Sequence, residues 1–164
     1  MITIKQGDIF SEGEADFIVN PSNTSLFLGS GVSRAFKINC DKDLQSEMKK
    51  FAPIKQGEIV ITKCNDKFKH ALHVAIMDYS KPNPNPTYET IKTALKHIIE
   101  ILKNHPGSKI VLPLMGTGVG GLDKEEVIKI YKNTFSNDAD IACDVIIYGY
   151  KKKDYEKLRK YFKI

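Results

Sequence analysis

At 164 residues, with 41% hydrophobic and 27% charged side chains, the sequence has the size and balance of one globular domain with its own core. No apolar run approaches the roughly 20 residues that a membrane span needs, and the opening Met1-Ile-Thr-Ile-Lys5 reads as a strand rather than a signal peptide. The net charge of +5 is local, because residues 151–164 carry seven Lys/Arg against two Asp/Glu and the remainder is balanced. A basic surface over the whole domain, as nucleic-acid binding would call for, is therefore not implied. The basic last segment reads as a solvated helix face, with attraction of a polyanion as the lesser reading.

In chain order, Ile2–Lys5 forms a first strand that ends at Gly7-Asp8-Ile9, and Asp16–Asn20 is a compact buried strand. It runs into Pro21-Ser-Asn23 and a glycine loop, Gly29-Ser30-Gly31-Val32, after which a helix begins near Ser33. Leu44–Phe51 resumes a helical pattern. Glu58–Lys63 and His70–Ile76 are strands separated by an Asn65-Asp66 turn, so they are expected to be neighbours. Pro82, Pro84 and Pro86 forbid regular structure. Asn85 is the expected cap of the next helix, with Pro86 at its first position. Ile91, Leu95, Ile98 and Leu102 give that helix its apolar stripe, and Pro106-Gly107 stops it.

Lys109–Pro113 is a strand that leads into Gly116-Thr117-Gly118-Val119-Gly120-Gly121, and Asp123 with Glu126 reads as a capping box for the helix beyond. Val127, Ile128, Tyr131 and Phe135 are the core stripe of that helix. Asp144–Tyr150 is the last strand, and Asp154 the expected cap of a final helix carrying Tyr155, Leu158 and Phe162. Strands that alternate with helices, plus one neighbouring strand pair, indicate an α/β layer domain on a mixed sheet.

Four glycines within six residues, set between a strand and an acidic helix start, make an anion-cradling loop. It is not a P-loop, because Leu122 stands where Lys would follow the last glycine. Gly116, Gly118 and Gly121 satisfy G-x-G-x-x-G, but only one strand follows, which argues against a dinucleotide fold. His70 and His73 lie three apart on a strand and so face opposite ways, a poor metal pair. Cys40, Cys64 and Cys143 are odd in number and widely spaced, and read as reduced, buried thiols of a cytoplasmic protein.

Taken together, Gly7-Asp8-Ile9, Val19-Asn20-Pro-Ser-Asn23 leading to Gly29-Ser30-Gly31-Val32, and Gly116-Thr-Gly-Val-Gly120 resemble a macro domain, the ADP-ribose-binding and ADP-ribose 1″-phosphate-processing module. The resemblance spans nearly the whole chain. It implies a three-layer α/β/α sandwich on a mixed sheet of about six strands. It also implies that Asp8 accepts from the adenine amino group beside the Ile9 backbone. Asn23 would hold the distal ribose, and Asn20 matches the first Asn of the motif, although from the residues alone it reads as a satisfied turn or cap side chain. Gly29, Ser30, Gly31 and Val32 would face the distal ribose and diphosphate. Gly116, Thr117, Gly118, Val119, Gly120 and Gly121 would wrap the diphosphate. Tyr150 would stack on adenine, with Tyr148 the neighbouring candidate.

The departures from the family bear on mechanism. Hydrolases of the common branch carry Asp where this chain has Ser33, and many members carry an aromatic where it has Gly120, so a more open pocket is expected. Gly29-Ser-Gly31-Val and Pro86-Thr-Tyr-Glu89 resemble the terminal ADP-ribose glycohydrolase branch. Its Asp again falls on Gly120 and its Lys near Asp78, with Lys81 close by. Asn23, Asp78 and Lys81 are the remaining catalytic candidates. The expectation is a monomeric binder of ADP-ribose or ADP-ribosylated macromolecules without metal or cofactor. The alternative is a hydrolase of ADP-ribosyl esters, ADP-ribose 1″-phosphate or O-acetyl-ADP-ribose.

Overall fold

The structure, a computed structural model, describes residues 1–29, 32–137 and 141–164. Six strands form one sheet: β1 (Ile2–Gln6), β2 (Ala15–Asn23), β3 (Ile59–Lys63), β4 (Phe68–Met77), β5 (Lys109–Pro113) and β6 (Asp144–Gly149). Five helices accompany them: α1 (Val32–Asn39), α2 (Leu44–Lys49), α3 (Tyr88–Lys103), α4 (Lys124–Asn137) and α5 (Lys152–Phe162), with a 3-10 turn at Ile9–Glu12. The strand order is β1-β6-β5-β2-β4-β3. Every pairing is parallel except β3 with β4. That pair is joined by the short connection 64–67, which only an antiparallel arrangement can bridge. Asn65 closes it, its Oδ1 accepting from the amides of Lys67 (2.9 Å) and Phe68 (2.7 Å).

Successive strand residues point to opposite faces, so each strand feeds two cores. Phe17, Val19, Leu72, Val74, Ile110, Leu112, Val145 and Ile147 face the layer of α3, α4 and α5. Ile18, Ala71, Val111 and Ile146 face Ile9, Phe36, Leu44 and Met48 on the other side. The expected stripes of α3 (Ile91, Leu95, Ile98, Leu102) and α4 (Val127, Ile128, Tyr131, Phe135) are all buried. The fold is thus the three-layer α/β/α sandwich on a mixed sheet that the sequence predicts.

Several local expectations are corrected. β2 continues through Pro21 to Asn23, three residues further than the pattern indicates. Its ladder to β5 consists only of Phe17↔Ile110 and Ile18↔Val111 and has ended before Pro21, so a ring without an N–H is tolerated there. The cap of α3 is Thr87, not Asn85. Thr87 Oγ1 accepts from the Thr90 amide (3.3 Å) and Thr90 Oγ1 from the Thr87 amide (3.1 Å), which leaves Pro86 outside the helix. Asp154 lies inside the first turn of α5 and not at its cap. Its Oδ2 accepts from the Lys151 amide at 3.4 Å and its Oδ1 pairs with Lys124 of α4 at 2.9 Å. Cys40 and Cys64 form a disulfide between the end of α1 and the end of β3; only Cys143 is a free, buried thiol. Sequence separation hid that pairing, since the two cysteines lie 24 positions apart. Among the described residues no helix is long and apolar enough to cross a membrane.

One side chain ties α4 to the end of β5. Tyr131 is fully buried; its hydroxyl donates to the Pro113 carbonyl (2.6 Å) and accepts from the Met115 amide (2.9 Å). Burial pushes its phenol pKa up, so it stays a neutral donor. Tyr131→Phe strands a buried amide and a carbonyl. It is expected to lower the unfolding free energy by about 1–3 kcal/mol in urea titrations, without loss of helix content.

Candidate functional site

Five of the six strands run in one direction, so their C-terminal ends open onto one edge, where ligands of such sheets sit. Beyond Ile18 and Val111, β2 pairs only with β4 and β5 only with β6. The sheet therefore parts between its two central strands just where the two glycine loops leave it.

The second loop hangs from the Tyr131 anchor. Thr117 Oγ1 donates to the Leu114 carbonyl (3.0 Å), the Leu122 amide to Gly116 (3.0 Å) and the Gly121 amide to Gly118 (3.1 Å). Gly116 and Gly121 take φ of +80° and +72°, a region in which L side chains are strained. Among the described residues, the amides of Thr117, Gly118, Val119 and Gly120 donate to no acceptor. Four consecutive free N–H groups on a closed loop form a nest for an anion. Asp123 caps α4, its Oδ2 accepting from the Glu126 amide at 3.1 Å. The Glu126 carboxylate pairs with Lys129 (3.2 Å) instead of completing a capping box. The Asp123 amide donates to the Tyr88 hydroxyl at 3.1 Å, fixing the loop's exit to α3.

Gly120 itself faces into its own loop. It is buried, and a Cβ there would stand 2.7 Å from the Gly116 carbonyl oxygen and 3.0 Å from Pro86 Cγ. The loop closes on itself at this residue, and Pro86, displaced from helix α3, forms its floor.

The first loop is described at Gly29 and from Val32 onward; Ser30 and Gly31 lie outside the described residues. Asn23 at the end of β2 is committed to this loop. Its Nδ2 donates to the Phe27 carbonyl (3.0 Å), and its Oδ1 accepts from the Phe27 amide (3.1 Å) and Ser25 Oγ (2.8 Å). Asn20 is fully buried beneath it and belongs to a polar chain. Ser33 Oγ donates to Asn20 Oδ1 (3.1 Å), Asn20 Nδ2 to His73 Nδ1 (2.9 Å), and His73 Nε2 to Thr62 Oγ1 (2.8 Å). Directions along this chain require the neutral His73 tautomer protonated on Nε2. Burial pushes the imidazole down to about 3, which agrees with a neutral ring. The chain pins the first turn of α1, and with it the glycine loop, to the sheet. Ser33, read from the sequence as a replaced catalytic carboxylate, is thus a buried anchor.

At the other end of the edge, the Gly7 amide donates to the Gly149 carbonyl (3.0 Å), so Asp8 and Tyr150 follow directly on a bonded pair at the ends of neighbouring strands. Asp8 is exposed and heads the 3-10 turn; its Oδ1 accepts from the Phe10 amide at 2.8 Å, leaving Oδ2 free. Ile9 is buried in the core, so only its backbone is at hand. Tyr150 is 73% exposed and Tyr148 only 4%. Tyr148 donates to Glu12 Oε1 (2.9 Å), and that carboxylate also meets Lys5 (2.8 Å) and Lys109 (2.7 Å). Burial raises the Glu12 pKa, but the hydrogen bonds from Lys109, Lys5 and Tyr148 outweigh it and leave it lowered. Tyr148 is therefore a structural residue, and Tyr150 alone is available for stacking.

Asp78, at the end of β4, accepts from Ser80 Oγ (2.6 Å), the Ser80 amide (3.1 Å) and Thr24 Oγ1 (3.1 Å), and lies 3.7 Å from Lys81 Nζ. The Ser80 hydroxyl foremost, against partial burial, holds its carboxyl below the usual range. Such a carboxylate orders its loop and is a weak base. No cluster of His, Cys, Asp and Glu able to hold a metal occurs among the described residues. Sequence reasoning missed Tyr88, the hydroxyl of Tyr131 and Gln45 of α2, which bonds the backbone of Leu26 and Leu28, because each acts through a contact that no local pattern encodes.

Comparison with known proteins agrees with this architecture. The profile of the Macro domain matches residues 19–131, and the chain belongs to that family. A protein of Aquifex aeolicus (strain VF5) is 33% identical over 76% of this chain and 74% of its own. One of Sulfurisphaera tokodaii is 30% identical over 84% and 78%. Among solved structures, the Oceanobacillus iheyensis macrodomain with ADP superposes with a TM-score of 0.82 at 23% identity, covering 98% of this chain and 88% of that one. The Trypanosoma brucei macrodomain in complex with ADP-ribose gives 0.80 at 20%, covering 97% and 68%.

His73 makes the site's foundation acid-sensitive. Its folded pKa of about 3 lies below the ordinary 6.5, so between these values the unfolded chain binds a proton that the folded chain refuses. Stability is then full above pH 6.5 and falls as the pH drops toward about 3. About 2 kcal/mol is expected to be gone at pH 5. Urea midpoints against pH should show this slope, and His73→Gln should flatten it between pH 6.5 and 5.

Proposed function

We propose that this domain binds ADP-ribose, free or as a terminal group on a macromolecule, along the C-terminal edge of its sheet. The observation that carries the reading is the row of four unpaired amides at 117–120, held closed beside the gap between β2 and β5. Free N–H groups without a cation suit a diphosphate, which carries its charge on several oxygens. Asp8 and Tyr150 supply an acceptor and an exposed ring at the ends of neighbouring strands, the pair that an adenine needs. The ligands named for the Oceanobacillus and Trypanosoma relatives, ADP and ADP-ribose, are of the same class.

Binding without turnover is the better-supported form of this reading. Hydrolysis needs a poised base, and the candidates are otherwise engaged. Asp78 takes three hydrogen bonds on Oδ1 and faces Lys81 with Oδ2 (3.7 Å), which keeps it a weak base; Asn23 is bonded to Phe27 and Ser25; and the family's loop carboxylates are replaced by Ser33, bonded to Asn20 and to the Pro21 carbonyl (3.2 Å), and by Gly120. The basic face of α5, with Lys152, Lys153, Arg159 and Lys160 exposed, supports no more than general attraction of anions.

Calorimetry with ADP-ribose tests the proposal; no heat of binding at millimolar ligand would end it. Asp8→Ala is expected to weaken binding by about 1–3 kcal/mol, the scale of a hydrogen bond to a charged group. Product analysis after incubation with ADP-ribose 1″-phosphate is expected to show no phosphate release.

A further inference from the structure

Phe27 is a large apolar side chain left 56% exposed on the first glycine loop, and isolated cases of this kind ordinarily need no explanation. Its backbone setting is what sets it apart. Both main-chain groups of Phe27 are held by the Asn23 side chain, the amide at 3.1 Å and the carbonyl at 3.0 Å. The adjoining groups are held by Gln45 of α2: its Nε2 donates to the Leu26 carbonyl (2.9 Å), and its Oε1 accepts from the Leu28 amide (2.7 Å). Leu26 and Leu28 are buried anchors on either side, and Leu26 adopts φ of +59°, which a branched side chain takes only where its surroundings force it. The Phe27 ring rests over Gly29, about where a Cβ on that residue would touch it at 3.2 Å. Two side-chain amides and a strained residue thus fix the backbone that carries one exposed ring. The entropic cost of ordering that backbone has been met in the free protein, which is how a binding site is preorganised.

Strand order shows what such a ring would meet. Under the ADP-ribose reading, on which this inference rests, adenine lies over β1 and β6 and the diphosphate over β5. The next strand across is β2, whose loop carries Phe27. What lies over it is the ribose beyond the diphosphate. The second loop has no aromatic residue to offer that sugar, since 116–121 reads Gly-Thr-Gly-Val-Gly-Gly. We infer that Phe27 is a specificity-determining residue whose ring packs on the apolar C–H face of the distal ribose, so that the site prefers ADP-ribose to ADP. Asn23 is then a positioning residue, acting on the sugar through Phe27.

The test is calorimetric titration of the wild type, Phe27→Ala, Phe27→Leu and Phe27→Trp with ADP-ribose and with ADP, each variant first checked for an unchanged urea midpoint. Phe27→Ala and Phe27→Leu are expected to lose about five- to twenty-fold in affinity for ADP-ribose while ADP binds as before. Phe27→Trp should restore the preference, and Phe27→Leu guards against a folding defect in the smaller variant. Equal affinities of wild type and Phe27→Leu for ADP-ribose, or equal losses for both ligands, would overturn the inference and leave ADP-ribose binding intact. A wild type that binds neither ligand would overturn both readings together.

Discussion

A parallel sheet must satisfy its backbone on both sides of every inner strand, and here it stops doing so between β2 and β5 after two residue pairs. The consequences reach most of the edge above. β2 can continue through Pro21, its last residues can turn into a loop, and β5 can release its chain into the glycine run. Had the ladder continued to Pro113, the gap between these strands would be filled by backbone, and the free amides at 117–120 would have no crevice to border.

The loops beside the gap are anchored by a few buried residues, Leu26, Leu28 and Met115, and side-chain hydrogen bonds hold what lies between. Tyr131 fixes the entrance to the second loop and Tyr88 its exit. Asn20, through His73 and Ser33, fixes the end of the first loop, while Asn23 and Gln45 fix its middle. Each bond joins a side chain to a partner that would otherwise be costly to bury or free to move. Among the described residues, the amides at 117–120 are left without an acceptor in the midst of these bonds.

Much of this was legible from residue pattern. Ile91, Leu95, Ile98 and Leu102 recur at helical spacing, and their helix forms; Lys109–Pro113 is β-branched and bounded by turn residues, and its strand has those bounds. Such features depend on neighbours within a few positions. The misreadings share the opposite property. Asn85 and Thr87 are both good caps, and packing of Pro86 on Gly116 and Gly120 decided between them. Cys40 and Cys64 are 24 residues apart, and their meeting depends on where α1 lies against the β3–β4 hairpin. Tyr148 and Tyr150, which were no misreading but a pair the pattern left open, differ for the same reason: the Glu12 carboxylate holds the first, and the second lies exposed past the end of the strand.

The sequence by itself determined the alternation of strands and helices, the two glycine loops and the family to which the chain belongs. The first two follow from hydrophobic period and from glycine's freedom of φ, which are properties of short segments, and the family from the resemblance of its loop motifs. Only the tertiary structure decided that Gly120 closes its loop on the Gly116 carbonyl, that Asn20 and Ser33 are buried anchors, and that the Phe27 backbone is clamped while its ring stays exposed. Each of these depends on which atoms approach from elsewhere in the fold: the Gly116 carbonyl, the His73 ring, and the Asn23 and Gln45 amides. Close approach across the sheet is set by the packing of whole layers, and no local stretch of sequence encodes it.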